Sequence, residues 1–413
     1  MEPGSTASTK AAKIMLALLF AAGVYRAATA PMRLDEALGF VHGISVPLPD
    51  LLQHYDGSNH ILYTWIAKLV RRAFRWSDWS VRLPALLASA LYLWAAYRVA
   101  RSRFGDGWLF LAALALLVLN PLVVDCLSAA NGHGMALAFW MAALGLLLEG
   151  RRLELAGVAL GLAVAADLAF TFPAAALAAG FALTDREWRG EAVRRLAIPA
   201  VVTAFILVAL PIAHVDSRSF SADAGPPFRG ARLLVIPLAL AAIAIADSQL
   251  ARLTGITMAI CLVLLGAAKR WLHLPYPAGG AQVYWIPLIT LAAFELADRL
   301  RWRKAAPAMA AVVAGFYLWG FPIRPEDGGV RFLVKAVRQE APRQFIRVGA
   351  SASIEPIVEF YKQRYGLGYW HVLEGESWTE PFDYYFLAPE DAALAEKRHL
   401  YVVARNSGVV AAR

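Results

Sequence analysis

Two adjacent carboxylates, Asp35 and Glu36, follow directly on the first apolar run of the chain. A carboxylate at a membrane boundary can serve as a general base when it is partly desolvated and within hydrogen-bond reach of an acceptor hydroxyl. The same pair can equally be the acidic first turn of a short helix over Asp35-Glu36-ALGFVHGI, complementing the helix dipole. A further acid, Asp125, lies in a later loop of the same side, followed by Asn131 and His133. Asp35 and Asp125 can also offer oxygens to a divalent cation, although two carboxylates do not define a metal site. Basic groups that could hold an anion occur at Arg71 and Arg72, at Arg82, and at Lys269 and Arg270, with His273 close by. Arg82, at the start of an apolar run, reads either as a snorkelling helix end or as a partner for a carboxylate or phosphate.

The elements that position these groups are membrane helices. The chain has 413 residues, of which 59% are hydrophobic and 17% charged. This excludes a water-soluble enzyme and a disordered chain. Cys126 and Cys261 both lie in apolar stretches and support neither a disulfide framework nor a metal cluster. The net charge of +9 is carried in short loops between apolar runs, which argues for a membrane protein and against nucleic acid.

About eleven apolar segments are long enough to be read as spans, at 13–30, 83–100, 107–124, 131–149, 153–168, 170–184, 196–214, 232–247, 252–268, 283–299 and 305–321. Asp167 and Pro173 mark a break between the fifth and sixth, read as two short helices with a tight turn. Alternate loops carry the cations, among them Lys10, Lys13, Arg98, Arg101, Arg194 and Arg195, whereas 125–130 and 169 carry none. The positive-inside rule then puts the N-terminus in the cytoplasm and the C-terminus outside. The first segment is read as a retained helix because it lacks a convincing small-residue cleavage site.

The long first outer loop, 31–82, contains HILYTWIAKLVRRAFR at 60–75. Its apolar positions Ile61, Leu62, Trp65, Ile66, Leu69 and Val70 oppose Lys68, Arg71, Arg72 and Arg75 at helical spacing. This predicts a basic amphipathic helix lying in the headgroup layer, where its cations attract lipid phosphates or simply anchor the helix. The tail, 322–413, is predicted as a small extracytoplasmic α/β domain. It has helices over 328–340 and 353–364 and strands in RQFIRVGAS, DYYFLAP and HLYVVAR. The predicted fold is therefore an all-α polytopic membrane domain, 1–321, with interfacial helices in its first outer loop, joined to that α/β tail.

The order of these features resembles the GT-C superfamily of membrane glycosyltransferases. The closest likeness is to the bacterial family-39-like group of protein O-mannosyltransferases and lipid A aminoarabinose transferases. The residues that carry it are Asp35-Glu36 after one span, Asn59-His60-Ile61-Leu62-Tyr63 before the amphipathic helix, and Ser80-Val81-Arg82-Leu83-Pro84 opening a span that ends Arg98-Val-Ala-Arg101-Ser-Arg103-Phe-Gly105. The likeness covers the whole chain and is clearest over 30–150 and 325–405. It implies Asp35 as catalytic base with Glu36 as helper or cap. It also implies a carboxylate contribution from Asp125, and donor phosphate held by basic residues of which Lys269 and Arg270 are the candidates here. Asn59, His60, Asn131, His133, His273 and Tyr284 are the candidate substrate contacts. Relatives carry Arg and Tyr near Asn131 and His133, and an Arg before the Tyr284-Trp285 pair; this chain does not, so its substrate identity is open. In the tail, the helix ending Tyr361-Lys-Gln-Arg364 is similar to the family's.

The resemblance implies transfer of a sugar from a polyprenyl-phosphate donor to a hydroxyl of a lipid, glycan or protein. The reaction would run at the outer face of a bacterial cytoplasmic membrane, with inversion. The absence of a Gly-rich nucleotide fingerprint agrees with a lipid-linked donor. No cofactor is called for beyond the divalent metal that Asp35 and Asp125 could bind. Two rivals stay open: a flippase for lipid-linked sugar, which predicts internal repeats and charges at mid-membrane depth, and a non-catalytic subunit of a glycan-assembly complex.

Overall fold

The computed structural model describes residues 4–53, 60–74, 77–150, 152–184, 189–214, 232–245, 248–300, 329–341, 345–374, 378 and 381–413, with a few positions between 308 and 315. Helix α1 (Gly4–Thr29) leads into the first outer loop, which holds α2 (Leu34–Gly39), a π-helical turn at Phe40–Ile44, α3 (Leu48–Gln53) and α4 (Ile61–Ala73). A bundle follows, from α5 (Asp78–Phe104) through α6 (Trp108–Val118), α7 (Pro121–Ser128), α8 (His133–Glu149), α9 (Leu153–Ala166) and α10 (Thr171–Thr184). A single turn, α11 (Arg189–Glu191), runs through a π-helical stretch into α12 (Ile198–Ile212). The bundle ends with α13 (Arg232–Ile245), α14 (Gln249–Trp271) and α15 (Trp285–Arg299).

Ten of the predicted apolar segments are thus helical, and 305–321 lies almost wholly outside the described residues. Among the described residues, five helices are long and apolar enough to cross a membrane, or six if α6 and α7 count as one bent span. The count of eleven is therefore not reached by length. The cause is local. Asn120 caps α7 by accepting from Leu122 N (2.9 Å), and Pro121 occupies its first turn. A proline there starts a helix and cannot continue the preceding one, so the pair bends by 55°. Asp167 likewise ends α9 and caps a 3-10 turn at Leu168–Phe170. The second break brings Asp167 to His133, whose amide donates to Asn131, a neighbour of Asp35.

Helix α4 is amphipathic as predicted, but its two halves differ. Ile61, Leu62, Tyr63, Thr64 and Ala67 are buried in protein, and Tyr63 donates to Val81 O (2.6 Å). Leu69 and Phe74 remain exposed beside Arg71 and Arg72, as expected of an interfacial segment.

The tail folds as α16 (Gly329–Glu340), β1 (Ile346–Ala350), α17 (Glu355–Tyr365), β2 (Trp370–Glu374), β3 (Tyr384–Leu387), α18 (Ala393–Lys397), β4 (Val402–Asn406) and β5 (Val409–Ala412). The sheet order is β2-β1-β3-β5-β4, parallel at β1–β2 and β1–β3 and antiparallel at β3–β5 and β4–β5. The tail docks on the first outer loop. The amide of Met32 donates to the Tyr361 hydroxyl (2.9 Å), Phe360 packs edge-on against Phe40 (4.9 Å), and Arg364 pairs with the buried Asp78 at the start of α5. Arg331 approaches the same carboxylate at 3.5 Å.

Candidate active site

Where α1 ends, its last carbonyls need donors, and Arg82 supplies them. Its Nη1 donates to Ala27 O (3.2 Å) and Ala30 O (2.8 Å), and its Nη2 to Pro31 O (2.8 Å). The same guanidinium grips Glu36 in a fork, Nε to Oε1 at 2.7 Å and Nη2 to Oε2 at 2.5 Å. Glu36 also accepts from the Ala130 amide (2.6 Å) and the Arg33 amide (3.0 Å). Burial would raise the pKa of Glu36, but the fork with Arg82, the charge of Arg33 and the Ala130 amide outweigh it and hold the carboxyl below its usual range. Both Glu36 and Arg82 are thus fully committed. This departs from a catalytic Glu36 and from a phosphate-binding Arg82, since neither has an oxygen or N–H left for a substrate.

Asp35 faces the other way. Its side chain is 40% exposed, the largest exposure of any carboxylate in this group. One oxygen, Oδ2, accepts from Arg33 (3.2 Å) and from Asn131 Nδ2 (3.4 Å). Its Oδ1 has no hydrogen-bond partner among the described residues. Arg33 is the hub: its Nη1 also donates to Asp125 (2.5 Å), which Arg26 meets from α1 at 2.7 Å. Burial would lower the pKa of Arg33, but Asp35, Asp125 and Glu36 around it raise it above its usual value. A cation therefore already sits between Asp35 and Asp125, and the two do not form the metal pair considered from sequence. A guanidinium in that position excludes a divalent ion by charge and by volume.

Asn131 links Asp35 to a second group, because its Oδ1 accepts from the His133 amide (3.3 Å). His133 Nδ1 lies 2.7 Å from Asp167 Oδ2, and the His60 ring meets the His133 ring edge-on at 4.7 Å. Burial, then the His133 charge, lower the pKa of His60 from 6.5 to about 4, against the pull of Asp167 and Asp35. Two glycines make room for these rings. A Cβ on Gly280 would stand 2.3 Å from His133 Cδ2, and one on Gly132 would stand 1.9 Å from Ala166 O and 2.7 Å from His60 Cβ.

The remaining predicted site residues take no part in the contacts just described. Asn59 is outside the described residues. Arg71 and Arg72 are exposed in the last turn of α4, roughly 16 Å along the helix axis from His60. Lys269 and Arg270 close α14, with Lys269 5.9 Å over the Tyr276 ring, and His273 is exposed just beyond. Tyr284 is fully buried against Phe170 and Trp285. It is a core residue at the head of α15 rather than a substrate contact. Arg33 and Arg26 were not singled out from the sequence, where nothing separates them from other boundary cations. Asp167, read from the sequence as marking a break between two helices, also pairs with His133.

Residues 58–214, just over a third of the chain, match the family model described as dolichyl-phosphate-mannose-protein mannosyltransferase. No curated protein sequence matches. Two solved structures of ArnT from Cupriavidus metallidurans superpose over nearly the full length of both chains. The one bound to undecaprenyl phosphate has a TM-score of 0.60 at 15% identity, covering 97% of each chain. The apo one has a TM-score of 0.61 at 13% identity, covering 98% of each. The fold is that of ArnT. With the family-model match, the ArnT likeness supports the resemblance to GT-C membrane glycosyltransferases drawn from the motifs around Asp35, Asn59 and Arg82.

Proposed function

We propose that this chain is a membrane glycosyltransferase that moves a sugar from a polyprenyl-phosphate donor to an acceptor hydroxyl at the outer face of a bacterial cytoplasmic membrane. In this reading residues 1–321 form the catalytic membrane part and 322–413 an extracytoplasmic tail. Asp35 Oδ1 takes the acceptor's proton, the acceptor oxygen bonds to the anomeric carbon, and the bond from that carbon to the phosphate oxygen breaks. A single displacement of this kind inverts the anomeric centre. The departing polyprenyl phosphate keeps the electron pair, and cations stabilise it. Lys269 and Arg270 are assigned that role.

The observation that carries the reading is the contrast within one dipeptide. Glu36 is buried and saturated, whereas Asp35 is open and has an uncommitted oxygen. The ArnT bound to undecaprenyl phosphate is the source of the donor class. An apolar groove of about 820 Å³ runs between α9, α10 and α12, lined by residues such as Leu160, Val164, Ala178, Val201 and Phe205. It offers an isoprenoid chain an apolar seat, and Leu168, the neighbour of Asp167 in the chain, is among its lining residues.

The test is sugar transfer by Asp35→Asn in membranes supplied with lipid-linked sugar. Transfer should fall by about 10²–10⁴-fold, the usual worth of a positioned base. Undiminished transfer by a folded variant removes Asp35 from the chemistry.

A further inference from the structure

We propose that His60, His133 and Asp167 form a binding site for one transition-metal ion of the zinc class. Two imidazoles and one carboxylate are a ligand set found at zinc sites that keep a coordination position open. Here the three come from separate elements: the residue before α4, the first turn of α8, and the break between α9 and the 3-10 turn. Their ligand atoms all lie within 4.8 Å of one another. Around an ion with bonds of about 2.0–2.1 Å, tetrahedral ligands stand about 3.3 Å apart. His133 and Asp167, now hydrogen-bonded at 2.7 Å, must open slightly and His60 must close in.

The surroundings are those of a ligand set rather than of packed histidines. Ligating imidazoles usually donate their second ring nitrogen to a backbone carbonyl or a carboxylate, which fixes the tautomer. His60 makes such a bond to the Ala166 carbonyl. Asp167 uses Oδ1 to accept from the Ala169 amide (2.9 Å), which orients Oδ2 toward His133. Gly132 and Gly280 stand against His60 and His133 at distances that no Cβ could share. Arg33 occupies the space between Asp35 and Asp125, so a cation entering this end of the bundle finds its ligands at the histidines. An ion there takes the place of the proton between His133 Nδ1 and Asp167 Oδ2, and His133 then binds as the neutral imidazole with its one proton on Nε2.

The inference does not depend on the transferase reading, because metal content is measured without any sugar. The experiment uses the full chain purified in detergent, stripped with a chelator and titrated with zinc against a chromophoric competitor. Bound zinc is counted by mass spectrometry. One zinc per chain is expected in the wild type, and none at the same free zinc in His60→Ala or His133→Ala. Cobalt(II) added to the stripped wild-type protein should give the visible absorption of nitrogen–oxygen coordination, a readout that needs no variant to fold. No zinc in the wild type, equal zinc in both variants, or a wild-type cobalt spectrum without those bands overturns the proposal.

Discussion

The two halves of the Asp35-Glu36 dipeptide look into different worlds. Glu36 points inward to a guanidinium that also closes the end of α1, so every polar atom in that region has a partner from the chain itself. Asp35 points toward Asn131, His133 and His60, where glycines replace side chains, one carboxylate oxygen is uncommitted and the groups remain partly accessible. A saturated ionic clamp fixes geometry and can do no chemistry. An under-used carboxylate held beside it can. Acids of like type, one residue apart, are thus separated into a structural and a reactive candidate by the direction each faces on α2.

The strongest way to break this contrast is to exchange the two losses. Asp35→Asn should leave thermal unfolding close to wild type while transfer collapses by the factor given above. Glu36→Gln should do the reverse in kind. It leaves Arg82 buried without its counter-charge, a loss of about 3–5 kcal/mol by analogy with broken buried pairs. A lowered unfolding temperature and poor recovery from the membrane should appear before any specific kinetic defect. If Glu36→Gln unfolds like wild type and loses transfer, the clamp reading is wrong.

A smaller effect is expected at the tail. Arg364→Ala leaves the buried Asp78 with Arg331 at 3.5 Å as its ion-pair partner among the described residues. Limited proteolysis should cut the tail faster while the bundle resists, and an unchanged cleavage pattern would show that the apolar contact of Phe360 with Phe40 suffices alone.

The smallest effect concerns pH. Because burial lowers the pKa of His60 from 6.5 to about 4, the unfolded chain binds more protons in that window. Its contribution to stability is fully present above about 6.5 and is lost as pH falls toward 4. The gap in unfolding temperature between wild type and His60→Asn should therefore shift in favour of the variant as pH falls from 6.5 to 4. A constant gap would mean that His60 titrates normally.

Much of the frame was legible because its signals are local. The apolar run of α1, the two-faced pattern of α4 and the helices of the tail all follow from spacing within a dozen residues. Strands β2 and β5 were missed: Trp370-His-Val-Leu-Glu374 is short and mixed in polarity, and Val409–Ala412 comes at the end of the chain. Their strand character rests on pairing with β1 and β3, which no local pattern records. The count of eleven is not reached by helix length among the described residues, since apolar length was visible and the bends at Asn120-Pro121 and Asp167 cut it.

From the sequence alone came the membrane setting, the position of Asp35-Glu36 after the first helix, and the interfacial character of α4, because hydropathy and periodicity act on neighbours along the chain. The tertiary structure alone decided that Glu36 is clamped by Arg82, that Arg33 separates Asp35 from Asp125, and that residues 60, 133 and 167 meet. Those groups are joined by packing between helices far apart in sequence, and the direction in which a side chain faces is set by that packing rather than by its neighbours.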